Sequence, residues 1–173
     1  MNAAQLRRVT VESFAHYRQG LVELLLDSVK QGASIGFLAD LDAHEANSYF
    51  DEVKNRIAIN DLVLWAVVRD EQVMASAQLV FCKRVNGLNR AEVQKLMVRS
   101  DAQRRGMGQQ LMQAVEVAAR QYKRGLLHLD TEAGSPAEAF YLSQGYKRAG
   151  QIPGFACRPD GEYTATAFFY KTL

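Results

Sequence analysis

The stretch Ala91-Glu92-Val93-Gln94-Lys95-Leu96-Met97-Val98-Arg99-Ser100-Asp101-Ala102-Gln103-Arg104-Arg105-Gly106-Met107-Gly108 joins an apolar run to a polar loop that carries two glycines. Residues 91–98 read as a strand. From Gly106 to Tyr122, the residues Leu111, Met112, Val115, Ala118, Ala119 and Tyr122 recur on one side, as in an amphipathic helix. Residues 126–130 read as the next strand. Strand, helix and strand in succession imply a crossover and one parallel strand pair.

Working outward, residues 62–68 and 73–81 are apolar runs with Asp70-Glu71-Gln72 between them, which predicts an antiparallel hairpin. Residues 85–90 contain Asn86-Gly87 and read as a turn or loop. Toward the N-terminus, residues 6–11 form a short first strand. Phe14, Tyr17, Leu21, Leu24, Leu25 and Val29 then follow helical spacing. Ser13 or Thr10 caps that helix and Gly32 ends it. A second helix is predicted over 43–59, with Ala46, Phe50, Val53 and Ile57 on one face and Asp42 at its N-cap. A short helix at 136–143 and strands at 146–149 and 164–170 complete the order β-α-α-β-β-β-α-β-α-β-β. This is an α/β (α+β) chain with a mostly antiparallel sheet. No repeat, low-complexity tract or linker interrupts it, so residues 1–173 read as a single domain.

Composition narrows the function. With 48% hydrophobic and 23% charged residues the chain is ordinary for a globular protein. A formal net charge of +2 argues against nucleic acid or an anionic membrane as partner. No apolar run reaches the roughly 18 residues of a spanning helix, and residues 1–8 show no secretory signal. Cys82 and Cys157 lie far apart without ligand spacing, so neither a disulfide framework nor a metal site is expected. The expectation is a reduced, cytoplasmic protein.

In the loop, glycines at two-residue spacing let backbone N–H groups converge without obstruction by a Cβ. The helix start adds unpaired donors and a positive dipole end. Arg104 and Arg105 add charge beside it. The arrangement suits a diphosphate, although a strand–loop–helix junction with two glycines also occurs where nothing binds. Two nucleotide templates fail. The Gly-Lys-Ser/Thr ending of a P-loop is missing, and Leu111 stands where a dinucleotide fingerprint needs its third glycine.

Leu96, Val98, Gln103, Gly106 and Gly108, with Asp101 ahead of the glutamine, resemble motif A of the GNAT acetyltransferases. Ala137, Tyr141, Gly145 and Tyr146 are similar to that family's second signature. Within the family, residues 89–98, 123–134 and 137–141 most resemble tabtoxin-resistance acetyltransferases. The resemblance implies the GNAT fold: a mostly antiparallel central sheet with a splayed parallel strand pair and helices on both faces. It implies acetyl-CoA as cosubstrate and no metal. The pyrophosphate would lie on Gln103, Arg104, Arg105, Gly106, Met107, Gly108 and Gln109, and the pantetheine arm along Leu96, Met97 and Val98. The acceptor it implies is a small-molecule amine, such as an amino-acid-like toxin or antibiotic of the tabtoxin β-lactam type. Rival readings are acetylation of a protein N-terminus or lysine, and a non-catalytic acyl-CoA sensor. Either a monomer or a homodimer is compatible with the sequence.

Amine acetylation needs a base, because an aliphatic amine with a pKa near ~10 is mostly protonated at neutral pH. A leaving thiolate of pKa near ~8.5 benefits from an acid. Tyr141 aligns with the family's general acid; beside the core-like Phe140 it could also be a core tyrosine. Glu92 and Asp130 both qualify as the base, and sequence does not rank them. His128 shares a strand face with Asp130 and reads as a hydrogen-bonded histidine rather than a relay. Trp65 reads as core, and His16 and His44 as surface or structural. Arg120, Lys123 and Arg124 suit a helix C-terminus. Where many family members place an asparagine against the cofactor, this chain has Gly134, and Ser135 could substitute. Acceptor specificity falls to residues 33–49 and 155–163, read as loops or helix edges.

Overall fold

The computed structural model describes residues 3–173. Its strands are β1 (Gln5–Val9), β2 (Leu62–Arg69), β3 (Gln72–Phe81), β4 (Arg90–Val98), β5 (Leu126–Glu132), β6 (Lys147–Cys157) and β7 (Tyr163–Thr172). Its helices are α1 (Phe14–Lys30), α2 (Ala43–Ala58), α3 (Met107–Gln121) and α4 (Pro136–Ser143). The order of elements is the one the sequence predicts. Strand β2 shows how the sheet is covered. Leu62, Leu64 and Ala66 enter a core with Leu21 and Leu25 of α1 and Phe50 of α2. Val63, Trp65 and Val67 enter a second core with Leu111 and Val115 of α3 and Tyr141 of α4. A strand buried on both faces has no polar positions to alternate, hence its continuous apolar run. Asp70 and Glu71, with φ of 49° and 64°, make the two-residue turn to β3.

The seven strands lie in the order β1-β2-β3-β4-β5-β7-β6. Every neighbouring pair is antiparallel except β4 and β5. That parallel pairing covers only Arg90 with Leu126, Ala91 with Leu127 and Glu92 with His128. On its other side, β4 pairs Gln94 with Gln78 and Met97 with Ser76, so Lys95 and Leu96 stand opposite Ala77 alone. This is a β-bulge, and Lys95 takes a φ of +50° within it. The bulge bends β4 where its pairing with β5 ends, and the two strands part.

Several local expectations are corrected. Strand β6 does not end at residue 149 but continues to Cys157. It is one of the sheet's two edge strands, with register shifts between Arg148 and Gly150 and between Ile152 and Ala156. An edge tolerates Pro153, whose missing N–H would break an interior ladder. Consequently Phe155 and Cys157 are strand residues, not loop, and Tyr163 opens β7. Ser13 occupies the N-cap of α1 without capping it; its Oγ accepts from the Thr10 N–H at 2.9 Å. Asp42 does cap α2, accepting from Glu45 N–H at 2.8 Å. Arg124 does not serve a helix dipole. It donates to the carbonyls of Leu88 and Cys82 and lies over the Phe81 ring, tying down the loop after β3. Among the described residues, no helix is long and apolar enough to cross a membrane.

Candidate active site

A cavity of about 940 Å³ opens where β4 and β5 part. Glu92, Lys95, Leu96, Met97 and Val98 of β4 form one wall. Asp130 of β5 and Ser135, Pro136, Ala137 and Tyr141 at α4 form another. The loop between α1 and α2 contributes Ser34 to Leu38, and Cys157 and Tyr163 complete the rim. The structure thus gathers the three acid/base candidates, Glu92, Asp130 and Tyr141, around one space.

The predicted diphosphate loop meets this cavity through Gln103, whereas Arg104, Arg105, Gly106, Met107, Gly108 and Gln109 lie beyond its wall at the start of α3. Gly106 is the N-cap, left-handed at φ +80°, and a Cβ there would meet nothing within 4 Å. No side chain caps α3, so its first backbone N–H groups keep their donors open. Two of these residues also serve the packing. Met107 is 5% exposed and its side chain belongs to the core, which leaves only its backbone for a ligand. A Cβ on Gly108 would approach the Phe140 ring to 3.2 Å. Gly108 therefore also permits α3 to pack against α4. Upstream, Ser100 donates through its N–H and its Oγ to the Asp27 carboxylate, both at 2.9 Å. Asp27 of α1 thereby anchors the turn that precedes the loop. Sequence reasoning missed it, because no local pattern links positions so far apart.

Tyr141 is buried, and Phe140 is half-buried against the same core. Burial, then the charge of Asp130, pushes the Tyr141 phenol above its ordinary pKa, so it holds its proton at neutral pH. Asp130 is open to solvent at the cavity mouth. The protein around it still removes enough water to raise its pKa, and Glu92 raises it further. Lys95 and His128 oppose that rise. Burial lowers the pKa of Lys95, with Asp130 and Glu92 partly restoring it. His128 pairs across from Glu92 and is not on the cavity wall. Trp65 is core.

At the entrance to α4, Gly134 donates its N–H to Glu138 Oε2 at 2.8 Å, and Arg148 holds Glu138 at 3.1 Å. Ser135 Oγ is buried on the cavity wall without a hydrogen-bond partner. Such a group is costly unless something else satisfies it. Among the described residues, no cluster of three His, Cys, Asp or Glu side chains could hold a metal ion.

The site thus combines a parted strand pair, the uncapped start of α3 just beyond it, and three ionisable side chains lining the gap. The sequence profile of the acetyltransferase (GNAT) domain matches residues 60–148, more than half of the chain, and the chain belongs to that family. Solved structures share the fold along nearly the full length. A ribosomal-protein-alanine N-acetyltransferase from Brucella melitensis superposes with a TM-score of 0.81 at 22% identity, over 98% of this chain and 99% of that one. A GNAT phosphinothricin acetyltransferase from Sinorhizobium meliloti, solved with acetyl-CoA, gives 0.79 at 16% identity, over 99% and 89%. The yncA protein of Salmonella typhimurium, solved with its cofactor acetyl-CoA, gives 0.78 at 16% identity, over 99% and 95%.

Proposed function

We propose that this chain moves an acetyl group from acetyl-CoA directly to the amine of a small molecule, with residues 1–173 acting as one cytoplasmic domain. The observation that carries this reading is the meeting of Glu92, Asp130 and Tyr141 on one cavity at the parting of β4 and β5. The residues present suit the cosubstrate. Backbone of Met97 and Val98 has no partner strand on the β5 side and can pair with the amides of the pantetheine arm, beside Leu96. The start of α3 offers open N–H groups and the dipole end, with Gln103, Arg104, Arg105, Gly106, Met107, Gly108 and Gln109 around a diphosphate. Ser135 Oγ supplies the polar contact that Gly134 cannot. When bound, acetyl-CoA supplies an acetyl thioester.

The chain's own residues manage the protons. Asp130 is the carboxylate whose charge Tyr141 and Lys95 both sense, and whose own pKa Glu92 raises. It is the base that takes the amine proton, while Glu92 orients the incoming ammonium. Tyr141 Oη, protonated throughout the neutral range, is the proton donor for the leaving side. The acceptor is an amino-acid-like toxin or antibiotic, such as a tabtoxin-type β-lactam. The shared fold of the phosphinothricin acetyltransferase supports that class. The likeness to the ribosomal-protein-alanine enzyme favours a second reading, a peptide N-terminus as acceptor. An acetyl-transfer screen separates the two, with small amines, β-lactam amino acids included, against a contrast set of peptides. Transfer to small amines is expected. Transfer to peptides alone would overturn the first reading, and cofactor binding without transfer to either would indicate a sensor.

A further inference from the structure

Lys95 has no part in the acid/base scheme, yet the fold places it on the wall that carries Glu92, in the same cavity as Asp130. Its left-handed backbone is an unfavourable state for a residue with a Cβ. Its Nζ lies 5.8 Å from the ring centres of both Phe37 and Tyr49, which pack edge to face at 5.2 Å. Tyr49 is held by the buried Gln78, whose Nε2 donates to the phenol oxygen at 3.0 Å. Gly36 packs close enough that a Cβ there would sit 3.6 Å from Nζ. The ammonium thus rests on aromatic faces and brings three donors to the cavity. Among the described residues, no carboxylate forms an ion pair with it. Lys171 gives the contrast. It is also partly buried, but it is satisfied by Glu116 at 2.7 Å and the Gln144 carbonyl at 2.8 Å.

We propose that Lys95 determines acceptor specificity by receiving a carboxylate, so that the acceptor is an amine that also carries a carboxylate group. This rests on the reading of the cavity as the acceptor side of an acetyltransferase. Two acidic groups and one cation around a common cavity complement a zwitterion: Glu92 and Asp130 suit its ammonium, and Lys95 its anion. Partial burial makes the match selective. An ammonium that has lost water gains more from an incoming anion than a solvated one does, and an uncharged substituent there would leave it unpaired. Ser34, whose Oγ donates to the Cys157 carbonyl at 3.1 Å, ties the loop bearing Phe37 to β6 and keeps this end of the cavity assembled.

Two measurements on the full chain test the proposal. In the first, Lys95 is labelled with an amine-reactive reagent at neutral pH and its modification is followed by peptide mass spectrometry. The labelling is repeated with a panel of N-acetyl amino acids or their carboxamides present. Slowing of Lys95 modification several-fold by at least one carboxylate, and not by its amide, is the expected result. Absence of protection by the whole panel, or equal protection by amides, would overturn the proposal. The second compares kcat/KM for amino acids and the matching amides. Lys95→Met, which keeps the methylene contacts with the rings, should lower the carboxylate-to-amide ratio about tenfold to a hundredfold, as expected for loss of a charge-assisted bond. An unchanged ratio counts against the assignment. Protection without any acetyl transfer would leave the carboxylate site standing and remove the transferase reading instead.

Discussion

Tyr141 depends on burial for its proposed role. A phenol in water loses its proton near pH ~10; packed between Phe140, Tyr146 and Phe169 and facing the Asp130 charge, it keeps that proton to higher pH. Tyr141→Phe retains the ring contacts and removes the hydroxyl. Turnover should fall by roughly 10²–10⁴, the usual range for a lost acid, with the KM for acetyl-CoA little changed. Equal turnover in steady-state assays would remove the acid role. For Asp130 the sign follows from its raised pKa. A base works only when ionised, so kcat/KM should climb with pH through a midpoint above the ordinary carboxylate value of ~3.9. Asp130→Asn should abolish that limb. Glu92→Gln, by deleting the like charge, should move the limb to lower pH. A pH profile that Glu92→Gln leaves in place would refute the coupling. The sequence singled out Glu92 and Tyr141 by their spacing from the family motifs and Asp130 by its place at the end of the strand facing β4, and all three line one cavity. Lys95 was not singled out. Its side chain reaches Phe37 and Tyr49 only because one extra residue enters β4, and no periodicity announces a bulge.

At the scale of elements, the glycine loop is held from outside. Asp27 on α1 accepts both donors of Ser100, which fixes the short turn Ser100–Ala102 ahead of Gln103. Asp27→Ala removes both bonds and leaves the turn without its anchor. Each lost bond to a charged group is worth about 1.5–3 kcal/mol at most, and less at this exposed site. Acetyl-CoA affinity measured by calorimetry should therefore drop severalfold to tenfold while the core stays folded. Unchanged affinity would show that the loop holds its shape unaided. Gly106→Val tests the loop itself. The protein leaves space for the new side chain, but φ +80° is strained for a β-branched residue, so stability should fall by about 1–2 kcal/mol and cofactor binding with it. The sequence made most elements readable, since apolar spacing decides helix against strand. It concealed the second half of β6, where Gly150, Pro153 and Gly154 break the pattern and edge exposure removes the apolar signal. Spacing alone showed that a parallel pair exists; that it splays came from the family resemblance, and the structure places the parting after three residue pairs.

For the whole molecule, the decisive feature is that the cavity joins parts that belong to different cores. Asp27 and Phe37 come from the side of α1 and α2, Tyr141 from the side of α3 and α4, and β4 lies between them. A ligand spanning this gap touches both halves of the fold, and it can bind only when both are assembled. Acetyl-CoA should consequently stabilise the native state as a whole rather than one loop. At a free concentration a hundred times its dissociation constant, the linkage term is about 2.7 kcal/mol. For a chain of this size that corresponds to roughly 5–11 °C in Tm. Differential scanning calorimetry across a series of acetyl-CoA concentrations should show one cooperative transition moving upward with the logarithm of concentration. Coenzyme A should produce most of the shift, because the diphosphate and pantetheine contacts do not involve the acetyl group. A transition that stays in place at concentrations shown to saturate the protein would mean that the ligand sits outside the gap between β4 and β5.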